Sequence, residues 1–318
     1  MRHGRRPLRV LLAVLVTAAV VVPLTAAARP AVPAPAPAAL PPLTAATLEQ
    51  AYTANRANAA LASRMAAAHG DRHRAAADSA LASPARQFLA FDGRGAGRAT
   101  EVFGDLAHAD RVAVLIPGSD TSLDTYGRFR AGAAALYRRL TLRPGTRTAV
   151  VAWLGYTTPG TVSTTVTTQA RADEAATKLR EFLRELRSVT ASGVHVSLLC
   201  HSYGSVVCGR AAPGLAADDI VLIGSPGTGA DSADGLHTRA RVWAARGTDD
   251  WVADVPHVRV DLFGTTVGFG TDPLSPSFGA RVFAAGDGGH SDYFRPGSVS
   301  LANMARIVLG ETSEVTRA

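Results

Sequence analysis

The chain has 318 residues, 47% of them hydrophobic and 19% charged, with a formal net charge of +7 and two cysteines. Four of those positive charges are arginines within the first 28 residues, which leaves +3 for the rest and no basic run or aromatic-interleaved basic patch, so a nucleic-acid binder is excluded. Lys178 stands alone beside 32 arginines, a bias of composition and not a binding surface.

Arg2, Arg5, Arg6 and Arg9 precede an uncharged apolar run over 10–24, and small residues follow at 25–28. This order predicts an export signal over 1–28, cleaved after Ala28. As a membrane anchor the run is shorter than the ~20 residues a bilayer needs, and Pro23 interrupts it, so no stable membrane insertion is expected after cleavage. Residues 29–43 alternate Pro and Ala and predict an extended, polyproline-like linker. Residues 44–84 are Ala-rich, with a thin apolar stripe at Leu48, Tyr52, Leu61 and Met65. They predict one or two helices, lying on the domain or forming a stalk. His69 and His73 have the i, i+4 spacing of a metal pair, but no third ligand accompanies them, and a solvated face is expected.

From 85 to 318 the pattern becomes that of one α/β domain. Runs at 87–92 and 99–106, joined by a Gly-rich turn, read as a hairpin. Apolar runs at 112–118, 148–155, 194–200, 219–227, 241–247 and 281–286 then alternate with helix-period segments, and residues 300–310 close as a helix. Val/Ile/Leu runs without polar alternation are strands buried on both faces, and helices between them make a doubly wound, mostly parallel sheet. Chemistry in such a sheet sits beyond the carboxyl ends of the strands.

Three residues fall at those ends. In "SLLCHSYGSVV" (197–207) Ser202 lies between a strand and a helix, where a sharp turn would lift its hydroxyl above the sheet. Such a turn needs small residues two before and two after the serine. Gly204 fills the second place and Cys200, small and apolar, the first. A serine capping an ordinary strand–helix junction is the bland reading. A serine nucleophile needs a base, and with this topology an acid and then a histidine follow it in the chain. His237, His257 and His290 follow Ser202; His290, in the Gly-rich loop after the last strand, is the chosen base. Asp249, Asp250 and Asp254 follow the 241–247 strand. Asp250 is the chosen acid, with Trp251-Val252 expected to pack beneath the loop, and Asp249 is the alternative. Backbone N–H groups of Tyr203 and Ser119 are the expected oxyanion donors. His201 is read as packing against or orienting the turn, and His195 as a hydrogen-bonded core residue. Asp120 and Asp124 are read as helix-start residues.

With these residues in place, the stretch from Phe88 to Gly310 resembles the α/β-hydrolase superfamily, and more narrowly a secreted bacterial branch of it classed as a domain of unknown function. The resemblance rests on "HSYGS" (201–205), "SFGARVF" (277–283) and "GHSDYF" (289–294), and it implies Ser202, Asp250 and His290 as a catalytic triad. Cys200 departs from the glycine usual in that turn. Cys200 lies about 6–7 Å below the serine along the strand, and Cys208 about 9 Å below it along the helix. In an exported chain a disulfide between them persists if the side chains face each other; otherwise they are two buried thiols.

The expectation is an exported serine hydrolase that cleaves a small-molecule carboxylic ester through an acyl-enzyme, without metal or organic cofactor. An envelope acyltransferase using the same triad and a non-catalytic binding scaffold are the alternatives. The 219–227 to 241–247 connection is too short for a large lid, and residues 155–168 are the candidate substrate wall. The sequence sets no oligomeric state.

Overall fold

The computed structural model describes residues 32–160, 170–255, 259–262 and 265–318. The predicted signal over 1–28, the first linker residues and His257 lie outside them. Residues 32–44 form neither helix nor strand, as alternating Pro and Ala dictate. They nevertheless lie on the domain: Asn58 Nδ2 donates to Ala36 O at 2.9 Å, and Ser188 Oγ donates to Leu43 O at 2.9 Å.

The N-terminal segment folds as two helices, α1 (Leu48–Ala68) and α2 (Arg72–Leu81). The break at 69–71 separates His69 from His73, so the i, i+4 pair never shares a helix face. The buried face of α1 differs from the stripe read in the sequence. Leu48, Ala51, Tyr52, Asn55, Ala59, Ala62 and Ala66 are buried, whereas Leu61 is exposed. Alanines let the helix approach the sheet closely, and burial of many small side chains replaces a few large ones. Asn55 Nδ2 donates across to Phe88 O at 2.9 Å.

Phe88 belongs to β1 (Gln87–Asp92), which pairs antiparallel with β2 (Arg98–Phe103). The remaining strands are β3 (Arg111–Ile116), β4 (Thr148–Leu154), β5 (His195–His201), β6 (Asp219–Ile223), β7 (Arg241–Ala245) and β10 (Arg281–Val282). All eight form one sheet in the order β1-β2-β4-β3-β5-β6-β7-β10, with β3, β5, β6, β7 and β10 parallel to β4 and β2 antiparallel to it. Helices α3 (Tyr126–Leu140) and α6 (Val299–Leu309) bury one face, and α4 (Ala170–Val189) and α5 (Gly204–Ala211) the other. The α1 helix wraps the β1 edge, with Leu48 and Tyr52 in one core layer and Ala59 and Ala62 in the other. A covered edge offers no open ladder to another chain.

Two departures from the sequence pattern matter. The 281–286 run is a strand only over its first two residues, because Ala284 N turns to Thr316 O at 2.9 Å and Asn303 Nδ2 takes Ala284 O at 2.9 Å. The β7–β10 connection also carries an unforeseen antiparallel ribbon, β8 (Arg259–Leu262) and β9 (Thr265–Gly268).

The α2 helix is pinned to the start of α3 by charge. Arg74 forks onto Asp124 at 2.7 and 2.9 Å and also donates to Gly93 O and Gly95 O, at 3.0 Å each. Beside it Asp78 is 1% exposed, and its Oδ1 has no hydrogen-bond partner among the described residues. Burial pushes the Asp78 carboxyl up from 3.8 to about 7, against the pull of the Arg74 guanidinium. The folded chain therefore keeps a proton that the unfolded chain releases. The stability this confers is complete below the ordinary carboxylate value and is lost as pH rises through about 7. Asp78→Asn, which cannot ionise, should gain in thermal unfolding midpoint over the natural chain only on the alkaline side of that window. An equal gain on both sides would show that Asp78 does not titrate there.

Candidate active site

The β5 strand hands over to α5 through one residue in an unusual conformation. Ser202 has φ 54, in the left-handed region that costs a non-glycine residue about 1–2 kcal/mol. The turn is held from three sides. Ser202 N donates to Ile223 O at 3.0 Å, Ser205 N donates to Ser202 O at 2.8 Å, and Ser205 Oγ donates to Cys200 O at 3.0 Å. A Cβ on Gly204 would sit 2.7 Å from the carbonyl oxygens of both Ile116 and Pro117, so this place admits only glycine. Cys200 fits the other small place because its side chain bridges to α5: Cys200 and Cys208 form a disulfide, their Cα atoms 6.4 Å apart.

The three distant residues singled out in the sequence meet here. His290 Nε2 lies 2.9 Å from Ser202 Oγ, and His290 Nδ1 lies 2.9 and 3.1 Å from the two carboxylate oxygens of Asp250. A carboxylate only accepts, so Nδ1 carries the hydrogen and the Nε2 lone pair faces the hydroxyl. Asp250 is 2% exposed and caps the turn Trp251–Asp254 by accepting from Val252 N at 2.9 Å. Burial opposes its charge, but hydrogen bonds from His290, Tyr293 and Val252 N outweigh it and hold the carboxyl below its ordinary value. Asp249 and Asp254 are exposed, and neither is hydrogen-bonded to the imidazole.

Tyr293, three residues after the histidine, has no role in the sequence reading but has one here. Its hydroxyl donates to Asp250 Oδ2 and accepts from Gly247 N at 3.1 Å, so the phenol bridges the carboxylate to the loop that carries it. The signal was present in "GHSDYF", the stretch that carries the resemblance, where the tyrosine follows the histidine by three residues. His201 turns toward the same loop. Its Nε2–H donates to His290 O at 2.7 Å, and its ring lies 4.7 Å from the His290 ring. Burial, and then the neighbouring His290, push the His201 imidazole down to about 4, so it is neutral near neutral pH. Trp251 does not pack beneath the loop as expected; it is 50% exposed with its ring 4.7 Å from His290, while Val252 is buried.

The Gly118–Ser119 backbone passes beside the hydroxyl: a Cβ on Gly118 would lie 3.1 Å from Ser202 Oγ. Tyr203, which follows the serine in the chain, is the N-cap residue of α5. The 117–121 loop is propped by the segment after β4. Tyr156 Oη donates to Pro117 O at 2.6 Å, Thr158 Oγ1 donates to Thr121 O at 2.9 Å, and Asp120 N donates to Pro159 O at 3.0 Å. Residues 155–160 of the expected substrate wall thus support the loop bearing Ser119, and residues 161–168 lie outside the described ones. His237 is exposed at the end of the turn Asp234–Leu236, and the 224–240 connection holds no helix longer than that turn. His195 is hydrogen-bonded to Asp219 at 2.6 Å. No group of three or more metal-ligating side chains occurs among the described residues.

The profile of a family described as Alpha/beta hydrolase matches residues 92–260. An uncharacterized protein of Mycobacterium tuberculosis is 32% identical over 279 residues, covering 75% of this chain and 41% of that protein. One of Mycobacterium bovis is 33% identical over 168 residues, covering 49% of this chain and 63% of that protein. The chain thus spans less than two thirds of the length of these relatives. Among solved structures, a serine hydrolase of Xanthomonas campestris described as lacking a lid is 16% identical with a TM-score of 0.45, covering 72% of this chain and 95% of that one. Esterase LipW of Mycobacterium marinum is 13% identical with a TM-score of 0.45, covering 77% and 88%.

Tyr293→Phe keeps the ring but removes a donor to Asp250 and the acceptor of the buried Gly247 N–H. An unsatisfied buried donor costs about 1–3 kcal/mol, so urea unfolding of this variant should show a loss of that order. A variant as stable as the natural chain would mean that water replaces the phenol oxygen.

Proposed function

From the α/β-hydrolase family, to which this chain belongs, we propose that the protein is an exported serine hydrolase acting on a small carboxylic ester through Ser202, His290 and Asp250. One observation carries the reading: the Ser202 hydroxyl lies 2.9 Å from an imidazole nitrogen whose other nitrogen is held by a buried carboxylate. A hydroxyl is a weak nucleophile until a base takes its proton, and this is the arrangement that supplies one.

The steps follow from where the protons sit. Ser202 Oγ attacks the ester carbonyl as its proton passes to His290 Nε2, and Asp250 stabilises the resulting imidazolium. The carbonyl oxygen, now an anion, is received by the backbone N–H groups of Tyr203 and Ser119. As the tetrahedral species collapses, the imidazolium gives its proton to the departing alkoxide and the acyl-enzyme remains. Water then attacks the acyl carbon with His290 again as base, the acid departs, and Ser202 recovers its proton. Each step uses atoms of this chain, and none calls for a metal or organic cofactor.

The left-handed Ser202 argues against an inert scaffold. A binding module gains nothing from a strained residue at this place, whereas a nucleophile gains exposure of its hydroxyl. Export is supported by the basic, apolar and small-residue order of the first 28 residues. The Cys200–Cys208 disulfide supports it too, since such bonds persist outside the reducing cytoplasm.

A fluorophosphonate probe tests the central claim. The natural chain should be labelled and Ser202→Ala should not. Asp250→Asn should label slower by a factor on the order of 10³–10⁴, because the imidazole loses the tautomer that presents its lone pair to the serine. Asp249→Asn should label at the natural rate. A folded natural chain that resists the probe would overturn the proposal.

A further inference from the structure

Among the described residues, two rings lie against the imidazole of His290. One is His201, and its role follows from its hydrogen bond: it ties the residue before Ser202 to the main-chain oxygen of His290. The other is Trp251, and nothing in the hydrogen-bond network accounts for it. We propose that Trp251 is a positioning residue for the base, its indole stabilising His290 when the imidazole becomes positively charged during catalysis. This inference rests on the triad reading above and adds a fourth side chain to it.

Three observations converge on Trp251. Its ring centroid is 4.7 Å from that of His290 with the two planes tilted at 51°, inside the roughly 6 Å within which a cation is attracted to an aromatic ring. Among the described residues it is one of the few large apolar side chains left open to solvent, 50% exposed, although an indole gains by burial. And its position is fixed by the acid of the same triad, because Asp250 caps the short turn Trp251–Asp254 through Val252 N. The residue that orients the imidazole by hydrogen bonding thus also orients the ring beside it.

Among the described residues, the groups hydrogen-bonded or stacked at the imidazole leave this role to the indole. Asp250 holds Nδ1, and Tyr293 reaches the imidazole only through Asp250. Ser202 faces Nε2. His201 is neutral because burial pushes it down to about 4, so it adds no charge near neutral pH. On the histidine's own loop, Asp292 is occupied in accepting Gly289 N at 3.0 Å. Gly224, at the end of β6, contributes no side chain. The indole therefore supplies a π system beside a ring that alternates between neutral and cationic forms in every turnover.

Trp251→Leu and Trp251→Phe separate this role from simple cover. Leucine keeps an apolar side chain beside the histidine but has no π system; phenylalanine keeps a smaller one. The measurement is the rate of Ser202 labelling by a fluorophosphonate across the acid and neutral range, with the maximal rate and the half-saturating probe concentration resolved at each pH. Thermal unfolding is measured alongside to confirm that both variants fold.

In Trp251→Leu the maximal rate should fall about two- to five-fold. The acid limb of the profile should move to lower pH by about half a unit, because the cationic imidazole has lost its stabilisation. Trp251→Phe should recover most of both effects. If the Leu and natural profiles superimpose, the indole does not act on the base, and the inference fails while the triad stands. It fails equally if only the half-saturating concentration rises, which would make Trp251 a wall for the probe. A natural chain that is not labelled at all would sink the triad reading and this inference with it.

Discussion

A single line of hydrogen bonds, from Asp250 through His290 to Ser202, governs what the upper rim of the sheet must look like. Its members follow β7, β10 and β5, and in the sheet β6 lies between the strand of the serine and the strand of the acid. The line must therefore pass over the end of β6, and the residue there is Gly224. A Cβ at that position would stand 2.8 Å from Asp250 Oδ2 and 3.1 Å from His290 Nδ1. The glycine, in a left-handed conformation with φ 54, is a condition of the contact above it. Strand order and side-chain identity are thus parts of one constraint.

The support beneath the rim is built from bonds that join elements and not merely neighbours. The Cys200–Cys208 disulfide links β5 to α5 below the turn, and the Ser205 hydroxyl satisfies the carbonyl of Cys200. His201 ties the end of β5 to the main chain of His290, and Tyr293 ties the loop of the histidine to the loop of the acid. Each loop is free to bend alone, but each is fastened to another that carries a member of the line. Such cross-fastening lets Ser202 keep a backbone conformation that isolated serine avoids.

Most of this fold was legible because its information is local and periodic. Short continuous apolar runs set between helix-period segments read as strands covered on both faces, and that alternation predicts a parallel sheet. The candidate site followed from chain order: a serine after one strand, an aspartate after a later one and a histidine after the last. What escaped was information carried by contacts between elements. Alanines at 51, 59, 62 and 66 look like mere helix formers until β1 is seen against them, and then Leu61, the larger residue, proves to face solvent. The short β10 is set by Thr316 and Asn303, which take the backbone groups a longer strand would have offered to β7. Trp251 was misplaced for the same reason. Its neighbour Val252 takes the buried position, and the cap at Asp250 decides which of the two turns inward.

The opposite rim shows why a histidine beside an aspartate is not in itself chemistry. There His195 Nε2 meets Asp219 Oδ2 at 2.6 Å, as tight a pair as the one above. Asp219 is fully buried, and Arg241 forks onto it at 2.8 Å to each oxygen while Trp243 Nε1 donates at 2.9 Å. Burial disfavours its charge, yet His195, Arg241 and Trp243 together hold the carboxyl below its ordinary value. The nearby hydroxyl, Ser197 Oγ, donates to the carboxylate at 3.4 Å, as the imidazole does. Serine and histidine thus act in parallel on one acceptor, and no proton has anywhere to go between them. At the upper rim they act in series: the carboxylate fixes one nitrogen, and the other nitrogen faces the hydroxyl as an acceptor. The lower cluster of His195, Asp219 and Arg241 clamps the starts of β5, β6 and β7, and only the serial arrangement leaves an imidazole nitrogen facing a hydroxyl as its acceptor.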